Sequence, residues 1–100
     1  MDLTESKQHG QGTPCFAAGS AAAVSGVIAM RDAQAAAHAA DGAARASGRP
    51  AIVAASGLAD SLRMAAGLVT ACGDRTPIVA IAEVSAEEAP TALPALRTAS

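Results

Sequence analysis

The sequence predicts an α/β fold, a parallel sheet with helices on both faces. Three observations carry that expectation. Short aliphatic runs of strand length alternate along the chain with longer segments of helical composition. The runs Ala51–Ala55 ("AIVAA") and Pro77–Val84 ("PIVAIAEV") lack apolar–polar alternation, a pattern typical of strands covered on both faces. Glycine and proline breaks separate the segments at the spacing of βαβ units.

Taken in order, residues 1–15 are polar and glycine-rich with no period, and read as a loose tail. Residues 1–25 as a whole are assigned to an N-terminal tail holding at most a remnant of a first βα unit. Residues 26–100 are assigned to the domain proper. Gly26–Met30 ("GVIAM") is a short strand. Asp32–Ser47 is the first helix: it is rich in alanine, the best helix former, and has no β-branched residue. Asp32 can cap its start, Gly48 follows its end, and Pro50 forbids continuation. The strand Ala51–Ala55 follows, and Ser56-Gly57 turns the chain. Leu58–Cys72 is the second helix, with Leu58, Leu62, Ala65 or Ala66 and Val69 along one apolar stripe. Gly73-Asp74 ends it. Pro77–Val84 is the last strand. Glu87 and Glu88 lie in or before a weaker third helix interrupted by Pro90 and Pro94.

Composition narrows the classes. One hundred residues make one small domain, and 51% of them are hydrophobic, but most of that share is alanine. Phe16 is the only aromatic residue. Alanine brings little area to bury, so the fold must rely on close approach of backbones or on another subunit. A net charge of −2 and a pI near 5.5 leave no basic patch for nucleic acid. The uncharged stretch Gly10–Met30 lacks the sustained large aliphatics of a membrane span, and the segment before it lacks the positive start of a signal peptide. A cytoplasmic protein is expected. Cys15 and Cys72 stand far apart with no metal-ligand spacing around them, and read as free thiols, Cys72 as a small buried apolar residue. No metal ligands and no catalytic residues are assigned.

Within the first helix, Gln34, His38, Asp41 and Arg45 stand at i, i+4, i+7 and i+11 and share one face. They form either a solvated stripe, with Asp41 and Arg45 as an ion pair, or a face in which Gln34 and His38 look into a cleft or an interface. The other faces are alanine and Gly42, narrow enough for a neighbouring helix or sheet to approach closely.

The stretch Arg31–Gly57, "RDAQAAAHAADGAARASGRPAIVAASG", resembles the N-terminal pyrimidine-binding domain of thiamine diphosphate enzymes, in particular the acetolactate synthase and 2-oxo acid decarboxylase branch. That domain reads in outline R-x-E-Q-x-A-x-H-x-A-D-G-Y-A-R-A-T-G-K-P-G-V, then an aliphatic strand, then T-S-G-P-G. Gly67–Val84 is similar to the family's G-L-A-T-A-Y-x-D-S-x-P-x-V-x-I-x-G-Q. Gln34, His38, Asp41, Gly42, Arg45, Gly48, Pro50, Ser56, Gly57, Gly67, Asp74 and Pro77 match in order. The resemblance implies a domain that packs against a second copy or a separate diphosphate-binding subunit. Thiamine diphosphate would lie between them, its diphosphate held through Mg²⁺ by the partner. It also implies that Gln34, Ser56 and Gly57 line the cofactor, and that the narrow helix lies at the subunit contact.

The chain also departs from that pattern. The family's activating glutamate, which shares a proton with a ring nitrogen of the cofactor, falls at Ala33. Asp32 is adjacent, but one residue turns a helical side chain by about 100°, and an N-cap is its ordinary role. The tyrosine of D-G-Y-A-R is Ala43, the G-P-G-x-x-N turn is "GLADSLR", and no G-D-G diphosphate motif occurs in these residues. The spacing between Phe16 and Arg31 is short for a full first βα unit. Two functions follow: a cofactor-binding domain that needs a separate diphosphate-binding chain, or a non-catalytic relic serving as an oligomerisation or interaction module. An unrelated phosphate binder using the Ser56-Gly57 helix start is a third.

Overall fold

The computed structural model describes residues 12–73 and 76–99, with the side chains of residues 70–73 and 97–99 outside the described set. The elements are β1 (Cys15–Ala17), a 3₁₀ turn (Gly19–Ala23), β2 (Ile28–Ala29), α1 (Ala33–Ser47), β3 (Ala51–Ser56), α2 (Leu58–Gly73), β4 (Ile78–Glu83) and α3 (Ala89–Ala99). The four strands form one all-parallel sheet in the order β2-β1-β3-β4.

α1 forms where its composition and caps predict. The Asp32 carboxylate accepts the N–H of Ala35 at 2.8 Å, and Gly48 takes the left-handed conformation (φ 69°) that closes the other end. The third helix starts from a capping box: the N–H of Ser85 donates to Glu88 Oε1 and the N–H of Glu88 to Ser85 Oγ, both at 3.2 Å. Pro90 then sits in the first turn of α3, where no helical N–H is required, and Pro94 lies inside the helix.

The first strand lies outside the boundary drawn from sequence. Residues 15–17, expected in a tail, form β1 in the middle of the sheet, and Cys15, Phe16 and Ala17 are all buried. The domain therefore starts well before residue 26. A three-residue strand preceded by Gly-Thr-Pro is too short to show a period. Residues 1–11, the rest of that tail, lie outside the described residues.

The faces of the sheet are covered unequally. Parallel neighbours in register share a face, so Phe16, Ile28, Ala51, Val53 and Ala55 point one way and Cys15, Ile52, Ala54, Ser56, Val79, Ile81 and Glu83 the other. The first face packs against α1 and α2, and α3 packs on α2 outside them. Among the described residues the second carries only the 3₁₀ turn, which packs on β1, β2 and β3. β3 is consequently alternating in burial rather than covered on both sides, and β4, an edge strand, leaves Val79 and Ile81 half exposed. The sequence of both strands is apolar on both faces, and the fold covers only one of them in full.

The core lies between the first face and the two helices. It holds Phe16, Val53, Met64 and Leu68 among the alanines Ala33, Ala36, Ala37, Ala40, Ala44, Ala51, Ala55 and Ala65. The apolar stripe of α2 is displaced from the one expected. Ser61, Met64, Ala65 and Leu68 are buried, whereas Leu62 and Val69 are exposed. The cause is the contact between the two helices. Gly67 faces α1, where a Cβ on it would stand 2.6 Å from Ala37 Cβ and 3.0 Å from the Gln34 carbonyl oxygen. The helix must rotate to aim Gly67 at α1, and Leu62 and Val69 turn outward with that rotation.

Gly67→Ala is expected to destabilise the chain by about 1–2 kcal/mol, overpacking outweighing the better helix propensity of alanine. Ala37→Gly in the same chain should recover part of the loss beyond additivity. Chemical denaturation of the two single variants and the double variant checks both statements.

Candidate functional site

Parallel α/β sheets present their ligands at the C-terminal ends of the strands, where neighbouring strands send their connections to opposite sides. Here β1 continues towards β2 and β3 towards β4, so the switch point lies between Ala17 and Ser56. Ser56 ends β3 and is half-buried, and Gly57 follows in a positive-φ conformation (91°) that suits glycine and starts α2. The Gly57 carbonyl accepts the first helical N–H, from Ser61, at 3.0 Å, and the Ser61 hydroxyl at 2.7 Å. Gly57 therefore sits in the capping position of α2. The Gly57 N–H donates to the Glu83 carbonyl at 2.7 Å, so it is engaged within the sheet ends instead of being offered to an acceptor.

Gln34 lies elsewhere. Its backbone touches the Gly67 position of α2, and Gly67 is ten residues beyond Gly57, about 15 Å along the helix axis at 1.5 Å per residue. The structure brings Ser56 and Gly57 together but sets Gln34 apart from them. The polar face of α1 also divides. Gln34 and His38 are exposed, and Asp41, on the same face, is buried at the boundary with α2. The alanine faces pack inside this chain, against α2 and the sheet, so the narrowness of α1 already has an intramolecular use.

Asp41 and Arg45 form the ion pair expected of their spacing. Arg45 Nε donates to Asp41 Oδ1 at 2.8 Å, with Asp41 the less exposed partner. The Arg45 hydrogen bond holds the Asp41 carboxyl below its ordinary value against the opposing effect of burial, and a hydrogen bond from Thr76 and the charge of His38 act in the same direction as Arg45. Thr76 lies between α2 and β4, so Asp41 ties that connection to α1. Sequence spacing finds the Asp41–Arg45 pair, but the Thr76 contact joins residues distant in the chain.

The position preceding Gln34 is closed. Ala33 is fully buried in the core, and the neighbouring Asp32 carboxylate is engaged as the helix cap. Among the described residues no three His, Cys, Asp or Glu gather to hold a metal ion, and no helix is long and apolar enough to cross a membrane. Cys15 is a free, buried thiol whose pKa is pushed up by burial, and the Cys72 side chain lies outside the described residues.

A four-stranded parallel sheet with a switch point at its strand ends places the chain among the open α/β domains. The family model for the thiamine pyrophosphate enzyme, N-terminal TPP binding domain, matches residues 10–91, and the chain belongs to that family. No curated protein and no solved structure matched the chain. The family's cofactor does not find a complete site in the residues above. The Gln34 backbone meets α2 at Gly67, about 15 Å along the helix from Gly57, the Gly57 N–H is committed, and no carboxylate occupies Ala33.

Lowering the pH should weaken the fold through Asp41. Its folded pKa is depressed, so its contribution is complete above the ordinary carboxylate value of 3.8 and is lost as the pH falls through the lower folded value. Asp41→Asn should remove that part of the acid dependence and cost about 1 kcal/mol near neutrality, measured by denaturation across pH. Ala33→Glu should lower the melting temperature markedly, because it places a carboxylate among apolar neighbours. Thermal melts followed by circular dichroism test this.

Proposed function

We propose that the chain forms the pyrimidine-side half of a thiamine diphosphate site in an acetolactate synthase-like enzyme, for decarboxylation or carboligation of a 2-oxo acid. A separate diphosphate-binding chain would complete the site and carry Mg²⁺. The observation that carries this reading is the family match over residues 10–91, on a parallel sheet whose strand ends open at a switch point. The acetolactate synthase branch rests on the likeness of Arg31–Gly57 to that branch's motif. Gln34 and the Ser56-Gly57 turn are the residues offered to the cofactor side, and their separation in this chain calls for a partner surface to bridge them. No step through the cofactor ring is assigned to this chain, since Ala33 carries no acid and Asp32 is engaged as a cap.

A second reading has specific support. Ala33 lies in the core, and the N–H of Gly57 is used within the sheet. Both favour a non-catalytic relic that serves as an oligomerisation or interaction module, as a homo-oligomer or with a separate subunit.

Calorimetric titration of thiamine diphosphate with Mg²⁺ separates the readings. The chain alone should show no micromolar binding, and binding should appear when a diphosphate-binding chain of the acetolactate synthase type is added. Micromolar binding by the chain alone contradicts the half-site; absence of binding in both arms favours the relic.

A further inference from the structure

A groove opens on the second face of the sheet, beside the switch point and away from α1. Its volume is about 520 Å³, within the range of small-molecule sites. Val24 and Val27 wall it on one side, Ala54 and Ile81 form its floor, and Ser56 and Glu83 stand at its end. The groove exists because the crossover from β1 to β2 is short. Five residues of 3₁₀ helix reach about 10 Å, whereas the six-residue strands β3 and β4 run about 20 Å, and Val79 and Ile81 on this face are half exposed.

The polar end of the groove is built to a fixed geometry. Ser56 and Glu83 are partners in the β3–β4 register, and each lies two residues beyond an apolar floor residue on the same face. The Gly57 N–H holds the Glu83 carbonyl at 2.7 Å, which anchors the backbone that carries the carboxylate. No described residue makes a hydrogen bond or ion pair with the Glu83 side chain. An apolar trough that ends in one hydroxyl and one carboxylate with no partner among the described residues complements a small cation with an apolar body.

The geometry points to a binding site for an aryl amidine, with the cationic amidinium on Glu83 and the apolar body on Ala54 and Ile81. This site shares Ser56 with the turn offered to the cofactor, and its test reads Glu83, which the thiamine reading does not use.

Benzamidine and its neutral analogue benzamide test the site on the full chain by calorimetry. Benzamidine should bind saturably, and at least tenfold more tightly than benzamide. Glu83→Gln, at an exposed position, should weaken benzamidine at least tenfold and leave benzamide unchanged. Ala54→Leu should abolish binding of both by filling the floor, with circular dichroism reporting its fold. Equal affinity of benzamidine for the Glu83→Gln variant and the unaltered chain overturns the proposal. So does the absence of saturable binding, including the case in which a second copy covers the groove and the chain sediments as a dimer.

Discussion

The contact between Gly67 and the first turns of α1 is the constraint on which the rest of the molecule depends. A domain whose apolar residues are mostly alanine can gain burial only if its backbones come close, because each side chain brings little area of its own. Gly67 supplies that approach from α2, and Ala37 supplies it from α1. The rotation that aims Gly67 inward also buries Ser61, Met64 and Leu68 and leaves Leu62 and Val69 in solvent. A mid-helix glycine weakens a helix by itself, and its presence in α2 signals a close contact that outweighs that cost.

The same contact settles where polar groups can act. α1 presents its alanines to the sheet and to α2, so its polar sector is forced outward or to the seam. Gln34 and His38 take the solvent side, and Asp41 takes the seam, where Arg45 and Thr76 satisfy it. The motif Asp-Gly-x-Ala-Arg thus has a structural use in this chain, as the Asp41–Arg45 ion pair along α1. Ala33, one position before Gln34, points into the core, and an acid there would have no partner. Membership of the thiamine pyrophosphate family therefore coexists with an apolar, buried residue at position 33.

On the opposite face the short crossover after β1 has the larger consequence. That face of β3 and β4 is apolar in sequence, and the turn packs on β3 but makes its other contacts with β1 and β2. Among the described residues the 3₁₀ turn covers only part of that face, and the groove it leaves reaches the strand ends, where parallel sheets hold ligands. The unequal cover of the two faces is what separates the Gln34 side of the molecule from the Glu83 side.

Much of this was legible in the residues themselves. Helix α1, its Asp32 cap and its Gly48 stop follow from local propensity and capping, which act within a few residues of the chain. The strands Ala51–Ser56 and Ile78–Glu83 and the family likeness follow from local pattern too. Three features depended on contacts between segments distant in sequence. β1 is too short to carry a periodic signal, and its place at the centre of the sheet comes from pairing with both β2 and β3. The buried face of α2 was decided by Gly67 meeting α1, not by its own hydrophobic stripe. The separation of Gln34 from Ser56 and Gly57, and the meeting of Ser56 with Glu83, came from helix stagger and strand register. Local sequence sets propensity over a turn or a strand; which side chains share a site is set by how those pieces pack.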